Sequence, residues 1–133
     1  MKRKVLFLCT GNSCRSQLAE AIINARLGET WQAFSAGTRP AGYVHPLAIT
    51  ALQEIGIQHQ GRSKLADEFA GVDFDLVVTV CDSAAEDCPL WLGQGRRVHH
   101  SFPDPAKSGE LQDFRQVRDD IAREMIALLS NQP

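Results

Sequence analysis

The chain has 133 residues, a formal charge of −2 and an apolar fraction of 44 %. That is enough chain for one domain with a real core (residues 1–133), and it leaves no basic patch for a nucleic acid, since the pair Arg96-Arg97 is too short to act as one. No segment is long and apolar enough to cross a membrane, and the four apolar residues before Cys9 are too few for a signal-peptide core, so the expectation is a cytoplasmic monomer.

In chain order, Val5-Leu6-Phe7-Leu8 is a short continuous apolar run, the pattern of a strand buried on both faces. The turn Cys9-Thr10-Gly11-Asn12-Ser13-Cys14-Arg15-Ser16 follows, and Leu18, Ile22 and Ala25 then recur at helical spacing until Gly28 stops the helix. Residues 31–35 read as a second strand, ended by Gly37. His45-Pro46 opens a second helix, with proline at a first-turn position and Ala48, Leu52 and Ile55 on one face before Gly56. Residues 75–80 are a third strand and residues 97–102 a weaker fourth. The last helix carries Phe114, Val117, Ile121, Met125 and Leu128 on one stripe, with Asp119 and Arg123 spaced as an i,i+4 pair on the exposed side. Strands alternating with helices over short connections predict an α/β fold, a four-stranded parallel sheet with helices on both faces.

A cysteine, five residues and then an arginine, wrapped at a strand-to-helix turn, make a tetrahedral-oxyanion site with a thiolate nucleophile. The turn's backbone N–H groups and the helix N-terminus can hold a dianion, and the same field together with Arg15 favours the thiolate of Cys9. The oxyanion-binding candidates are Thr10, Gly11, Asn12, Ser13, Cys14, Arg15 and Ser16. Ser16 reads equally as a helix N-cap or as a donor to Cys9. Asn12 is expected to fasten the loop through its side chain, with Ser35 as a partner, and Gly11 to take a backbone position barred to larger residues. In a reducing compartment the four cysteines, Cys9, Cys14, Cys81 and Cys88, are expected to be reactive rather than structural, although Cys14 has no evident redox partner and reads as a buried, dispensable thiol.

Ligands of an open parallel sheet bind at the carboxyl ends of its strands, and Cys9 and Cys81 each follow a strand. Were those strands neighbours, about 4.8 Å apart, the two sulfurs would open onto one crevice. Pro103 and Pro105 restrict the loop carrying Asp104 and would place its carboxylate over that crevice, with simple turn formation as the competing reading. His99 and His100 would alternate faces on a strand and no C-x-x-C pair is present, so no metal site and no cofactor are expected.

The loop with its flanking strand and helix, and Asp104-Pro105, resemble the low-molecular-weight protein tyrosine phosphatase fold. Within that fold the chain is similar to the arsenate reductases of the thioredoxin-coupled type. Gln17 follows Arg15-Ser16 where the phosphatases usually have proline, residues 78–89 carry Cys81 and Cys88, a pair those phosphatases lack, and Phe114-Arg115-Gln116-Val117-Arg118-Asp119 matches as well. The similarity covers nearly the whole chain. It implies reduction of arsenate to arsenite: attack by Cys9 on arsenate held by Arg15 and the loop, Asp104 as general acid, then a disulfide relay from Cys9 through Cys81 to Cys88, with thioredoxin as reductant. Two alternatives stand beside it. A phosphomonoester hydrolase needs only the loop and Asp104, and has no use for Cys81 and Cys88; a redox or anion sensor without turnover has no use for Asp104.

Some reductases of this type bind a potassium ion through Asn12, Glu20, Ser35 and residues 62–65. Where they have an aspartate this chain has Leu65, and Lys64 adds a positive charge, so that ion is not expected here. Residues 83–87 are good helix formers after Asp82, a plausible N-cap, which predicts a helical run from Cys81 towards Cys88 in the reduced chain. Such a run separates the two by about 10.5 Å, whereas a disulfide needs Cα atoms roughly 4.4 to 6.8 Å apart, so oxidation is expected to remodel residues 82–89.

Overall fold

The computed structural model describes residues 2–82, 91, 93 and 95–133. Strand β1 (Arg3–Cys9) lies inside the sheet, where β2 (Trp31–Gly37) pairs parallel along its whole length, from Arg3 opposite Trp31 to Cys9 opposite Gly37. On the other edge of β1, β3 (Leu76–Thr79) pairs parallel from Val5 opposite Leu76 to Leu8 opposite Thr79, and β4 (Arg96–His99) follows beyond it. The order is β2-β1-β3-β4. The strands ahead of Cys9 and Cys81 are therefore neighbours, which periodicity alone left open.

The continuous apolar run of β1 is explained by its two faces. Val5 and Phe7 enter a core shared with helices α1 (Arg15–Arg26), α2 (Pro46–Gln53) and α3 (Leu111–Ser130), through Leu18, Ile22, Leu52, Phe114 and Ile121. Leu6 and Leu8 point the other way, into a cluster with Phe74, Val77 and Trp91 that is covered by a 3-10 helix (Ala66–Phe69). Phe34 packs edge-on against Phe69 and Phe74 there, with centroids 5.6 Å apart in each case. That turn, and a second 3-10 helix at Pro105–Lys107, are too short to show a period in the sequence.

Several boundaries differ from the expected ones. Gly37 belongs to β2, because it pairs with Cys9 rather than ending the strand. The fourth strand is Arg96–His99, not 97–102, since Phe102 leaves the ladder to bury its ring in the helical core. On α3 the buried stripe closes with Leu129, while Leu128 is only partly buried. The i,i+4 pair of Asp119 with Arg123 does not form. Arg118 turns towards α2, where Nη1 donates to Ala51 O at 2.9 Å and Glu54 Oε1 at 3.0 Å, and its Nε takes Asp119 at 2.8 Å; Arg123 pairs instead with Asp120, also at 3.0 Å.

Candidate active site

The loop between β1 and α1 closes over a pocket of about 190 Å³, smaller than the ~300–1,000 Å³ typical for drug-sized ligands. Its lining brings together Cys9, Gly11, Ser13, Cys14 and Arg15 from the loop, Ala41, Tyr43 and His45 from the segment after β2, and Asp104 and Ala106 from the loop after β4. The nucleophile, arginine and acid singled out in the sequence thus meet in one cavity. Thr10, Asn12 and Ser16 stand behind it, and Tyr43 and His45 are residues that sequence reasoning missed.

The loop is fastened from outside through its carbonyl groups. Arg39 N–H donates to Thr10 O (3.0 Å), Ala41 N–H to Gly11 O (2.9 Å), His45 N–H to Ser13 O (3.0 Å), and the Ser63 hydroxyl also donates to Gly11 O (2.9 Å). With the carbonyls engaged outward, the N–H groups of Gly11, Ser13 and Cys14 have no partner among the described residues, and all three residues line the pocket. Such a ring of unpaired amides is an anion nest, and it sits at the start of α1. Arg15, 4 % exposed, adds a guanidinium whose Nη1 is steered by Phe102 O at 3.2 Å.

Asn12 takes the left-handed conformation here, with φ of 48°, whereas Gly11 does not, and a Cβ on Gly11 would meet only ordinary contacts, the nearest at 3.9 Å. The expectation for Gly11 is corrected accordingly. The glycine that matters sterically is Gly37, where a Cβ would lie 2.4 Å from Thr10 O, so only glycine lets β2 run this close beneath the loop.

The side chain of Asn12 is held by three groups. Its Oδ1 accepts from Lys64 N–H (2.8 Å) and from Gln17 Nε2 (3.1 Å), Gln17 Nε2 also reaches Asn12 O (3.1 Å), and Asn12 Nδ2 donates to Ser16 Oγ (2.8 Å). Because Ser16 Oγ accepts there, its own hydrogen is available to Cys9 Sγ, 2.8 Å away; Asn12 N–H lies 3.2 Å from the same sulfur. Ser16 makes no N-cap bond, as α1 begins at Arg15 after Cys14. Ser35 does not bond Asn12 either: its hydroxyl donates to Glu20 Oε1 at 3.0 Å.

Behind the loop, Lys64 Nζ lies 2.8 Å from Arg62 O, 3.4 Å from Ser35 Oγ and 3.6 Å from Glu20 Oε1. An ammonium is seated among the oxygens that a potassium ion would need, so these residues do not fit that ion. His59 completes this cluster, with Nε2 at 2.7 Å from Gln17 Oε1 and 3.8 Å from Glu20. Burial holds its pKa below the usual histidine value, Lys64 adds to that, and Glu20 opposes it. Burial, with the Asp104 charge, pushes the Cys14 thiol up to about 12, so Cys14 is a neutral thiol beside Cys9. Asp104 is also a turn former: its Oδ1 accepts from Ala106 N–H at 3.0 Å and caps the 3-10 helix, without leaving the pocket.

Cys81 follows β3, fully buried, at the same end of the sheet as Cys9, and Val80 N–H donates to Leu8 O at 2.9 Å. Cys9 and Cys14 are free thiols whereas Cys81 is disulfide-bonded. Cys88, and with it the helical run expected towards it, lies outside the described residues.

Residues 4–132 match the family described as low molecular weight phosphotyrosine protein phosphatase. The chain belongs to this family. Within it, a protein of Halalkalibacterium halodurans named arsenate reductase is 43 % identical over 92 % of this chain and 91 % of its own length. A solved structure described as an arsenate reductase in the phosphate binding state superposes with a TM-score of 0.83 at 30 % identity, over 96 % of this chain and 97 % of that one. A thioredoxin-dependent arsenate reductase of Corynebacterium glutamicum superposes with a TM-score of 0.69 at 25 % identity, over 98 % of this chain and 64 % of that longer one. Among the described residues no helix is long and apolar enough to cross a membrane.

Proposed function

We propose that the chain reduces arsenate to arsenite, with thioredoxin restoring its thiols. The observation that carries this reading is the placement of Cys9 and Cys81 at the same ends of adjacent parallel strands, Cys9 within an anion nest that also holds Arg15 and Asp104. The names of the relatives point the same way.

The Cys9 thiolate attacks arsenic held by the loop amides and Arg15, whose planar fork suits bidentate contact with an oxyanion. An S–As bond forms, an As–O bond breaks, and Asp104 gives its proton to the departing oxygen, which leaves as water. Reduction needs two electrons, and a second thiol supplies them. The Cys81 thiolate attacks Cys9 Sγ, the S–As electron pair stays on arsenic, and arsenite leaves a Cys9–Cys81 disulfide behind. Cys88 then attacks Cys81, frees Cys9, and passes the disulfide to where thioredoxin reduces it.

The test couples arsenate, thioredoxin and thioredoxin reductase to NADPH consumption, and consumption should require every component. No arsenate-dependent consumption by the reduced protein would overturn the reading. Cys81→Ser should lose this activity and keep hydrolysis of p-nitrophenyl phosphate; arsenate reduction surviving in that variant would remove Cys81 from the relay.

A further inference from the structure

His45 lines the pocket and has no part in the chemistry above. Three contacts fix its ring at the start of α2. Its backbone N–H is tied to Ser13 O, its ring lies against the fully buried Phe114 with centroids 4.7 Å apart and planes at 39°, and Leu47 N–H donates to Nδ1 at 3.1 Å. With Nδ1 accepting, the proton of the neutral ring is on Nε2. Nε2 has no hydrogen-bond partner among the described residues, none of whose buried side-chain nitrogens or oxygens is left unpaired, so this N–H is not sealed from solvent, and the residue lines the cavity. The same cavity presents Cys9, Arg15 and the Asp104 carboxylate.

A tetrahedral anion gripped from below by the loop amides and Arg15 keeps an oxygen directed away from the loop, towards the wall formed by residues 41–45 and 104–106. Asp104 serves the oxygen that leaves, and an anion needs donors, which a carboxylate supplies only while protonated. We infer that His45 is a substrate-binding residue, its Nε2–H donating to an oxyanion seated in the loop. This rests on the pocket being an oxyanion site. The contact is uniform: it acts on the bound substrate before and during attack, and so governs affinity more than turnover.

The two roles of His45, capping α2 and facing the pocket, are separable. In His45→Asn the amide oxygen still caps the helix, since asparagine is a favoured N-cap, but the side chain is too short to carry a donor to the ring's far edge. In His45→Phe the wall and the packing on Phe114 remain and both polar atoms are lost. Calorimetric titration of the reduced proteins with inorganic phosphate should show affinity about tenfold weaker in both variants, equivalent to ~1.4 kcal/mol. KM for arsenate should rise by a similar factor with kcat little changed. Alkylation of Cys9 by uncharged iodoacetamide reports the loop itself, and in His45→Asn its rate should stay at the wild-type value. Phosphate affinity unchanged in His45→Asn would overturn the role of His45. So would weaker binding accompanied by altered Cys9 alkylation, which would make His45 a support for the loop. Failure of the folded wild-type protein to bind phosphate at all would overturn the oxyanion pocket and this inference together.

Discussion

The sulfur of Cys9 is served by a hydrogen whose direction is settled two residues away. Lys64 N–H and Gln17 Nε2 both point at Asn12 Oδ1, which obliges Asn12 Nδ2 to face Ser16 and leaves the Ser16 hydrogen for Cys9. Ser16→Ala should therefore lower kcat/KM for arsenate by about tenfold or more, because a hydrogen bond to a charged group is worth ~1.5–3 kcal/mol. Steady-state kinetics checks it, and an unchanged kcat/KM would assign the hydroxyl no part in activating the sulfur. Asp104 offers a cleaner separation. Asp104→Asn retains an oxygen to cap Ala106 N–H, so the 3-10 helix should survive, while the proton that the proposed mechanism gives to the leaving oxygen is gone. General acid catalysis contributes about 10²- to 10⁴-fold, and single-turnover formation of the covalent intermediate should slow by that order with the melting temperature retained.

At the scale of elements, the loop after β1 is a short stretch clamped between two other segments, residues 39–45 through their amides and residues 62–65 through Ser63 and Lys64. Beside the second clamp, Lys64 forms a half-buried cluster with Glu20 and His59 behind Gln17. His59 gives this cluster a pH dependence whose sign follows from its environment. Its folded pKa lies below the ordinary 6.5, chiefly through burial, so the unfolded chain takes up the proton more readily than the folded one. Its contribution to stability is full above about pH 6.5 and is lost as the pH falls through the depressed folded value. In His59→Gln the fall in melting temperature on acidification below that pH should be shallower than in the wild type. Thermal denaturation across the acidic range measures it, and parallel curves for the two proteins would remove His59 as the source.

For the whole molecule, sheet order brings distant cysteines to one place. The parallel pairing of β1 with β3 brings Cys9 and Cys81 to one end of the sheet, so the proposed relay depends on the tertiary structure in a way the loop does not. Cys88→Ser should release arsenite once and then stop, trapped with Cys9 and Cys81 joined. Peptide mapping after arsenate treatment should recover that disulfide, and a free Cys81 would contradict the order of the relay.

The anion-binding loop was legible in the sequence because it is contiguous. The apolar run of β1, the residues from Cys9 to Arg15 and the helical spacing after them are short-range signals, and backbone geometry turns them into a nest at a helix start with little help from elsewhere. The parallel sheet was legible too, from the alternation of strands and helices. What the chain's local pattern does not carry is the pairing between segments. Strand order, the clamp on the loop carbonyls, the ammonium of Lys64 among oxygens and the entry of His45 into the pocket all join residues far apart in sequence. Even within a helix, Arg123 pairs with Asp120 while Asp119 is taken by Arg118, which reaches across to α2. Contacts of this kind follow from which elements pack together, and only the tertiary structure decides that.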